Sequence, residues 1–176
     1  MKSFDVQFSK TTKVITAVSL LILIAATGFF LYEIQNGSPI STSIKMIIFI
    51  APLSIIITYL YMPQKYEIQE LNFVIHRKIG NLQIPIKDIT NIEKIETYTQ
   101  LGFVIRLFGS GGLFGWLGIF YSGKYGKFKL YAGAASPLVM ITYQNNQKIG
   151  ISPIEIDAFI DSLNSCVELK KMNVDL

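Results

Sequence analysis

Apolar and polar positions are arranged in three different ways along the chain. Residues 14–31, "VITAVSLLILIAATGFFL", are apolar with no polar period. As a helix at about 1.5 Å per residue this run spans roughly 27 Å, close to one bilayer core. Residues 46–61, "MIIFIAPLSIIITYLY", form a shorter apolar run with Pro52 inside it. Proline is tolerated in a membrane helix where neighbours re-satisfy the freed carbonyl. Tyr32, Tyr59 and Tyr61 stand near the run ends, where amphipathic rings favour the interface. The polar stretch between the runs places Asn36 before Gly37 and Ser38 before Pro39, both turn-forming pairs. The pattern predicts a two-helix transmembrane hairpin over residues 14–61, preceded by a short tail, residues 1–13. A signal peptide accounts for the first run less well, because the run exceeds the usual apolar core of about 7–15 residues and the second run would remain.

From residue 62 the period changes to two, the period of strands. In "NFVIHRK" Phe73 and Ile75 fall on one face, Val74, His76 and Lys78 on the other. "IGN" reads as a hairpin turn into "LQIPIKDI", where Leu82, Ile84 and Ile86 share a face and Pro85 marks an edge or a bulge. "KFKLYAG", "LVMITYQ" and "QKIGIS" are further strand-like segments, the last two joined through Asn145 and Asn146, which tolerate a positive φ. A helix closes the chain. Ser152 is placed as its N-cap, Pro153 at its first position and Glu155 as the partner in a capping box. Ile156, Phe159, Ile160, Leu163 and Val167 make one apolar stripe, and the strands are its available partner.

Charge refines this picture. Charged residues are 16% of the chain, below the roughly 25% typical of soluble domains. Lys2, Lys10 and Lys13 precede the first run, and Lys65, Arg77 and Lys78 follow the second, whereas Lys45 between the runs is balanced by Glu33. Under the positive-inside rule this bias predicts a multi-pass protein of the cell membrane with both termini cytoplasmic. Residues 97–154 contain no Asp or Glu but carry Arg106, Lys124, Lys127, Lys129 and Lys148. Such a block suits an anionic neighbour, and equally a locally basic strand surface.

Within it lies "GSGGLFGWLGIFYSGKYGKF", residues 109–128. The segment is too rich in glycine for a helix and too apolar for an ordinary solvated loop. Its glycine spacing, G-x-G-G-x-x-G-x-x-G, is no dinucleotide fingerprint, because no helix follows and no acid appears until Glu155. Burying a large apolar side chain is worth about 1.5–3 kcal/mol, so these residues need a host. Three hosts are open: the domain core, the inner leaflet, or the hairpin helices and a partner protein. Unstructured connections beyond about 12–15 residues tend to be functional. Leu113, Phe114, Trp116, Leu117, Phe120, Lys124, Lys127 and Lys129 are therefore the candidate membrane- or partner-contact residues.

Other chemistry is sparse. One cysteine, Cys166, allows no intrachain disulfide, and one histidine, His76, no pair of imidazoles. His76 reads as a half-exposed strand residue, and Asp157 and Asp161 as a solvated helix face. No catalytic residue, metal site or cofactor is predicted, and nucleic acid is not an expected partner.

The strands closed by one C-terminal amphipathic helix, with "LNFVIHRKIGNLQIPIKDITNIEKIE", the glycine–aromatic segment and "ITYQNNQKIGISPIEIDAFIDSL", resemble the bacterial PH-domain family over residues 63–169. The resemblance implies an α+β membrane protein, in which the hairpin is followed by a PH-like antiparallel β-barrel or sandwich over residues 62–176, capped by a C-terminal helix. It implies a membrane location and no catalytic residues. PH domains that bind phosphoinositides cluster Lys and Arg in the turn between their first two strands. The matching turn here is "QELN", beside Glu67 and Glu70. Two functions follow as expectations. The first is a non-enzymatic membrane protein presenting a PH-like module for protein or peptide binding or scaffolding. The second is a module that engages anionic lipid through the glycine–aromatic loop and the basic block. An enzyme or transporter component is the third class, disfavoured because the runs carry no ionisable residue but Lys45 near an end.

Overall fold

The computed structural model describes residues 1–36 and 42–172. The alternating segments fold into two sheets. One is four-stranded, with β1 (Lys2–Asp5), β2 (Pro63–Ile68), β3 (Asn72–Arg77) and β4 (Leu82–Pro85) side by side in that order. The other is six-stranded and built from β5 (Ile89–Ile95), β6 (Val104–Gly111), β7 (Trp116–Ser122), β8 (Gly126–Ala132), β9 (Leu138–Tyr143) and β10 (Gln147–Ile151), in the spatial order β5-β9-β10-β8-β7-β6. The sheets do not close on one another, so the fold is a sandwich and the barrel alternative is corrected. Pro85 ends β4, and a single 3-10 turn, Ile86–Asp88, redirects the chain into the second sheet. The strands are also not all antiparallel. The β9–β10 hairpin lies between β5 and β8, and β10 runs parallel to β8 with Ile149 opposite Lys129 and Ile151 opposite Tyr131.

Each face of the six-stranded sheet has a core. Between the sheets and under α3 (Ile156–Met172) are Tyr66, Phe73, Ile75, Ile84, Val139, Ile141, Ile149, Ile151, Phe159 and Leu163, all buried. Phe159 is its hub, with ring centroids 5.2 Å from Phe4, 5.6 Å from Phe73 and 6.5 Å from Tyr66. On the opposite face Ile95, Leu101, Phe120, Phe128, Leu130, Leu138 and Met140 form a second buried cluster. The apolar stripe of α3 meets the first core as its spacing requires. Its start differs from the expected one. The helix begins at Ile156, and the Ser152 hydroxyl instead accepts from the Gly133 N–H (2.9 Å) and donates to the Gln7 carbonyl (3.2 Å).

The first residues are not a tail. β1 pairs antiparallel with β2, Lys2 opposite Ile68 and Asp5 opposite Lys65, and it buries Phe4. Val6, just beyond the strand, is also buried. The sandwich is thus interrupted after its first strand by α1 (Lys10–Gln35) and α2 (Thr42–Tyr61). Among the described residues, α1 alone is long and apolar enough to cross a membrane, and the apolar stretch Ile50–Tyr61 of α2 is shorter. Of the two spans expected, α1 alone stands as a candidate span by length and apolarity, while the apolar stretch of α2, which contains Pro52, falls short. The turn expected at Asn36–Gly37 and Ser38–Pro39 lies outside the described residues beyond Asn36.

Candidate functional site

The glycine–aromatic segment is no loop. Its first residues end β6, residues 112–115 make a tight turn, and the rest is β7 and the start of β8. Period two then sorts the side chains onto two faces. Phe120 sits opposite Phe128, and Trp116 opposite Ala132, on the face of the second core. Leu117 sits opposite Tyr131 on the other face and is 4% exposed. Phe120 and Leu117 are therefore packing residues, a correction to their place among the contact candidates. Trp116 is half-buried, with its ring centroid 5.7 Å from Tyr98 and 6.2 Å from Phe120. Of the eight candidates, Leu113 and Phe114 at the turn and the three lysines remain on the surface to different degrees.

The turn touches the feet of both helices. The Phe114 N–H donates to Thr16 Oγ1 at 2.9 Å, and the Phe114 ring lies edge-on to Tyr59 with centroids 5.3 Å apart. Gly112 faces Ile15 so closely that a Cβ there would come within 2.7 Å of Ile15 Cδ1, and its φ of +117° is one that side chains avoid. A glycine is what lets the sheet reach the helix.

The rest of the junction is built in the same detail. Ser9 caps α1 by accepting from the Thr12 N–H at 3.1 Å, and the Thr12 hydroxyl donates to the Gly133 carbonyl at 2.8 Å. At the end of α2, the Arg77 guanidinium lies 5.2 Å from the Tyr61 and Tyr131 ring centroids, and Lys78 Nζ lies 4.5 Å from the Tyr59 centroid. Lys10 and Lys13 are exposed on the first turns of α1. The helix feet are ringed by basic side chains.

The lysines divide. Lys124 contacts Glu93 at 3.5 Å and lies over the Tyr125 ring, contacts that raise its pKa, led by the Tyr125 hydroxyl. Lys127 and Lys129 are exposed and form no ion pair among the described residues. Lys127 sits opposite Tyr121, and Lys129 opposite Ile119, on the face of β7 and β8 that carries Leu117 and Tyr131. The sequence reading missed β6 itself. It is the last strand of its sheet, and Phe103, Ile105, Leu107 and Phe108 on and beside it are 80%, 46%, 56% and 74% exposed. The apolar letters of "FVIRLF" were visible, but only the strand order makes them an edge.

Elsewhere the arrangement is ordinary. His76 Nε2 lies 2.7 Å from Glu67 Oε2, and Glu67 is held below the usual carboxylate range by the Gln69 amide first and by His76 second. Among the described residues no three His, Cys, Asp or Glu side chains gather to hold a metal. A cleft of about 350 Å³ lies beside the β2–β3 turn, where Lys2 donates to Ser162 at 3.0 Å among Glu70, Asp161 and Cys166. Its acids do not favour a phosphate.

Two sheets closed by one C-terminal helix are the plan of a PH-like domain. The family model described as bacterial PH domain matches residues 64–167, more than half of the chain, and the chain belongs to that family. Such domains are generally non-catalytic modules that bind proteins or lipids. The match begins inside β2, so β1 lies outside it. No curated protein and no solved structure matches the chain.

Proposed function

We propose that the chain is an integral membrane protein that holds a PH-like binding module against the inner face of the cell membrane, acting by binding or scaffolding and not by catalysis. α1 and α2 enter and leave the bilayer as a hairpin, and both termini are cytoplasmic. The observation that carries this reading is the β1–β2 pair. β1 precedes α1, β2 follows α2, and the two strands lie side by side in antiparallel register. If α1 crosses the bilayer, α2 must bring the chain back for that pairing to exist.

Three further observations support it. The apolar window of α1 is not buried in the protein at all, and side chains such as Leu21, Ile22, Ile24 and Phe29 are 63–68% exposed. Ile50, Leu53 and Ile56 on α2 are 53–63% exposed. Apolar surface on that scale requires an apolar surrounding. The basic residues Lys10, Lys13, Arg77 and Lys78 ring the helix feet, where the positive-inside rule puts them. Family membership supplies the binding role, and the surface that starts at the helix feet with Leu113 and Phe114 and runs out along the hairpin to Lys129 and Lys127 is its contact region.

The test is topological. Single cysteines at Ser3→Cys and Asn146→Cys, in a Cys166→Ser background, are probed with a membrane-impermeant maleimide. Both should stay unlabelled in intact cells and react after permeabilisation. Labelling of either one in intact cells overturns the arrangement.

A further inference from the structure

The two helices are not the only parts of this chain that stand at the level of the bilayer. The apolar run of α1 starts at Val14, and the β6–β7 turn docks on the next two residues. Gly112 packs on Ile15, and Phe114 bonds Thr16. The turn also meets Tyr59, near the end of α2. Leu113 and Phe114 are thus placed where hydrocarbon gives way to headgroups. Phe114 is half-buried against Tyr59, and Leu113 is half-exposed at the very tip.

From that tip the hairpin runs back through successive rungs, each about 3.3 Å per residue further from the helix feet. Residues directly opposite one another share a face. The first rung on the face of interest is Ser110, Leu117 and Tyr131, closed off by burial of Leu117. The next is Phe108, Ile119 and Lys129, and the one after is Ile105, Tyr121 and Lys127. On β8 this is the face whose continuation on β10, Ile149 and Ile151, is buried between the sheets. Beyond β8 it is left open, with Phe108 at 74%, Ile105 at 46% and Tyr121 at 46% exposure. It is apolar and aromatic, flanked by two lysines with no ion-pair partner among the described residues, in a stretch of sequence without an acid.

We propose that the β6–β7 hairpin is a third membrane-contacting element. The hairpin leans over the bilayer surface: its tip, Leu113 and Phe114, enters the interface beside α1 and α2, its second rung comes down to headgroup depth, and Lys129 and Lys127 hold anionic lipid headgroups. Apolar and aromatic side chains beside lysines are the composition of an interfacial contact. The inference rests on the reading that α1 and α2 are embedded. It predicts a gradient: residue 113 deepest, residue 108 at the headgroups, residue 103 in water. Each lysine near an anionic surface is worth about fivefold in the docking equilibrium, so losing both should cost roughly thirtyfold.

The experiment uses the full chain in nanodiscs of phosphatidylcholine alone or mixed with phosphatidylglycerol. Nitroxides are placed by Leu113→Cys, Phe108→Cys, Phe103→Cys and Asn146→Cys in a Cys166→Ser background. Collision with oxygen, which favours lipid, is compared with collision with a water-soluble nickel chelate. The expected result is lipid-like exposure at 113 and headgroup-like exposure at 108 in anionic discs, with 103 and 146 aqueous. The intermediate depth at 108 should disappear with Lys127→Ala and Lys129→Ala combined. In the otherwise unsubstituted chain, Trp116, the one tryptophan, should be quenched by lipids brominated high on the acyl chain. A chain that enters the discs but keeps residue 113 as aqueous as 146, or leaves Trp116 unquenched, overturns this inference alone. Shielding of 113 and 108 from both reagents overturns it in favour of a protein neighbour or a second copy. A chain that fails to enter the discs overturns the anchoring and this inference together.

Discussion

Phe4 is the most direct probe of how the sandwich is assembled. Its ring is 8% exposed and stands edge-on to Phe159, the hub of the first core, at 5.2 Å. Phe4→Ala removes that ring from between β1 and α3. Phenylalanine-to-alanine changes in cores cost about 3–5 kcal/mol, the cavity included. β1 is an edge strand of four residues and can settle inward, so a loss near the lower end, about 3 kcal/mol, is expected. A typical domain holds only about 5–15 kcal/mol. With a urea slope of about 2 kcal/mol per molar, the midpoint should fall by roughly 1.5 M. The assay is urea denaturation of the full chain in non-ionic micelles. It is followed by the emission of Trp116, which packs on the second core and so reports the sandwich and not the helices. Ser3→Ala, on the same strand but exposed, should leave the midpoint in place, and Phe159→Ala should lower it at least as far as Phe4→Ala does. A Phe4→Ala midpoint equal to wild type, alongside a strongly shifted Phe159→Ala, would refute the inclusion of β1 in the domain. The same reasoning says that a fragment beginning after α2 gives up the burial of both Phe4 and Val6.

Two further outcomes follow. Gly118→Ala should destabilise the β6–β7 hairpin severely, because its φ is +119° and a Cβ would collide with the Phe108 carbonyl oxygen, a backbone atom that cannot swing aside; it would show as loss of the folded Trp116 emission, and a midpoint within a few tenths of a molar of wild type would contradict the pairing of Gly109 with Gly118. Tyr66 donates to the Tyr131 carbonyl at 2.6 Å and accepts from the Ser152 N–H at 3.2 Å, and burial pushes its phenol far above the ordinary value. The unfolded phenol ionises near pH ~10, so the stability held by the neutral, buried form is complete below that pH and is lost as the pH rises above it. Tyr66→Phe should lower neutral-pH stability by about 1–3 kcal/mol, through the unpaired Ser152 N–H, and flatten the alkaline decline, with Tyr98, Tyr125 and Tyr143, all also raised by burial, supplying what slope remains.

How much of this was legible follows from which interactions are local. The stripe on α3, the period-two strands around Phe73 and Ile84, the Asn145 and Asn146 turn and the edge role of Pro85 all depend on neighbours within a few residues, and the sequence carried them. β1 was not legible. "KSFD" has one apolar residue, and its partner β2 lies some sixty residues on, past both helices. The capping box at Ser152 failed for the same reason, since Gln7 and Gly133, distant in sequence, claim its hydroxyl. The contact candidates were a mixture. Leu117 and Phe120 have the same apolar letters as Phe108 and Ile105, yet the first pair lies on an inner strand and the second on the terminal one. Strand order is a property of the whole sheet, and no window of sequence contains it.

The junction between sheet and helices shows why a glycine-rich turn sits where it does. The first turn of any helix presents backbone N–H groups with no partner inside the helix. Water satisfies them at an ordinary surface, but near hydrocarbon each unmet group costs several kcal/mol. Here the protein supplies the partners itself: Ser9 caps Thr12, and one turn on, the direction reverses, with Thr16 accepting from the Phe114 N–H. That second bond serves the turn and not the helix. A β-hairpin tip exposes its own backbone donors, and here Thr16 accepts from one of them in place of water. The bond forms only if the turn comes within hydrogen-bond distance of α1, which the missing side chain of Gly112 permits. Thr16→Val keeps the shape of the side chain and removes the acceptor. If the tip stands in the interface, the Phe114 amide should then exchange faster in discs, with the sandwich core unchanged.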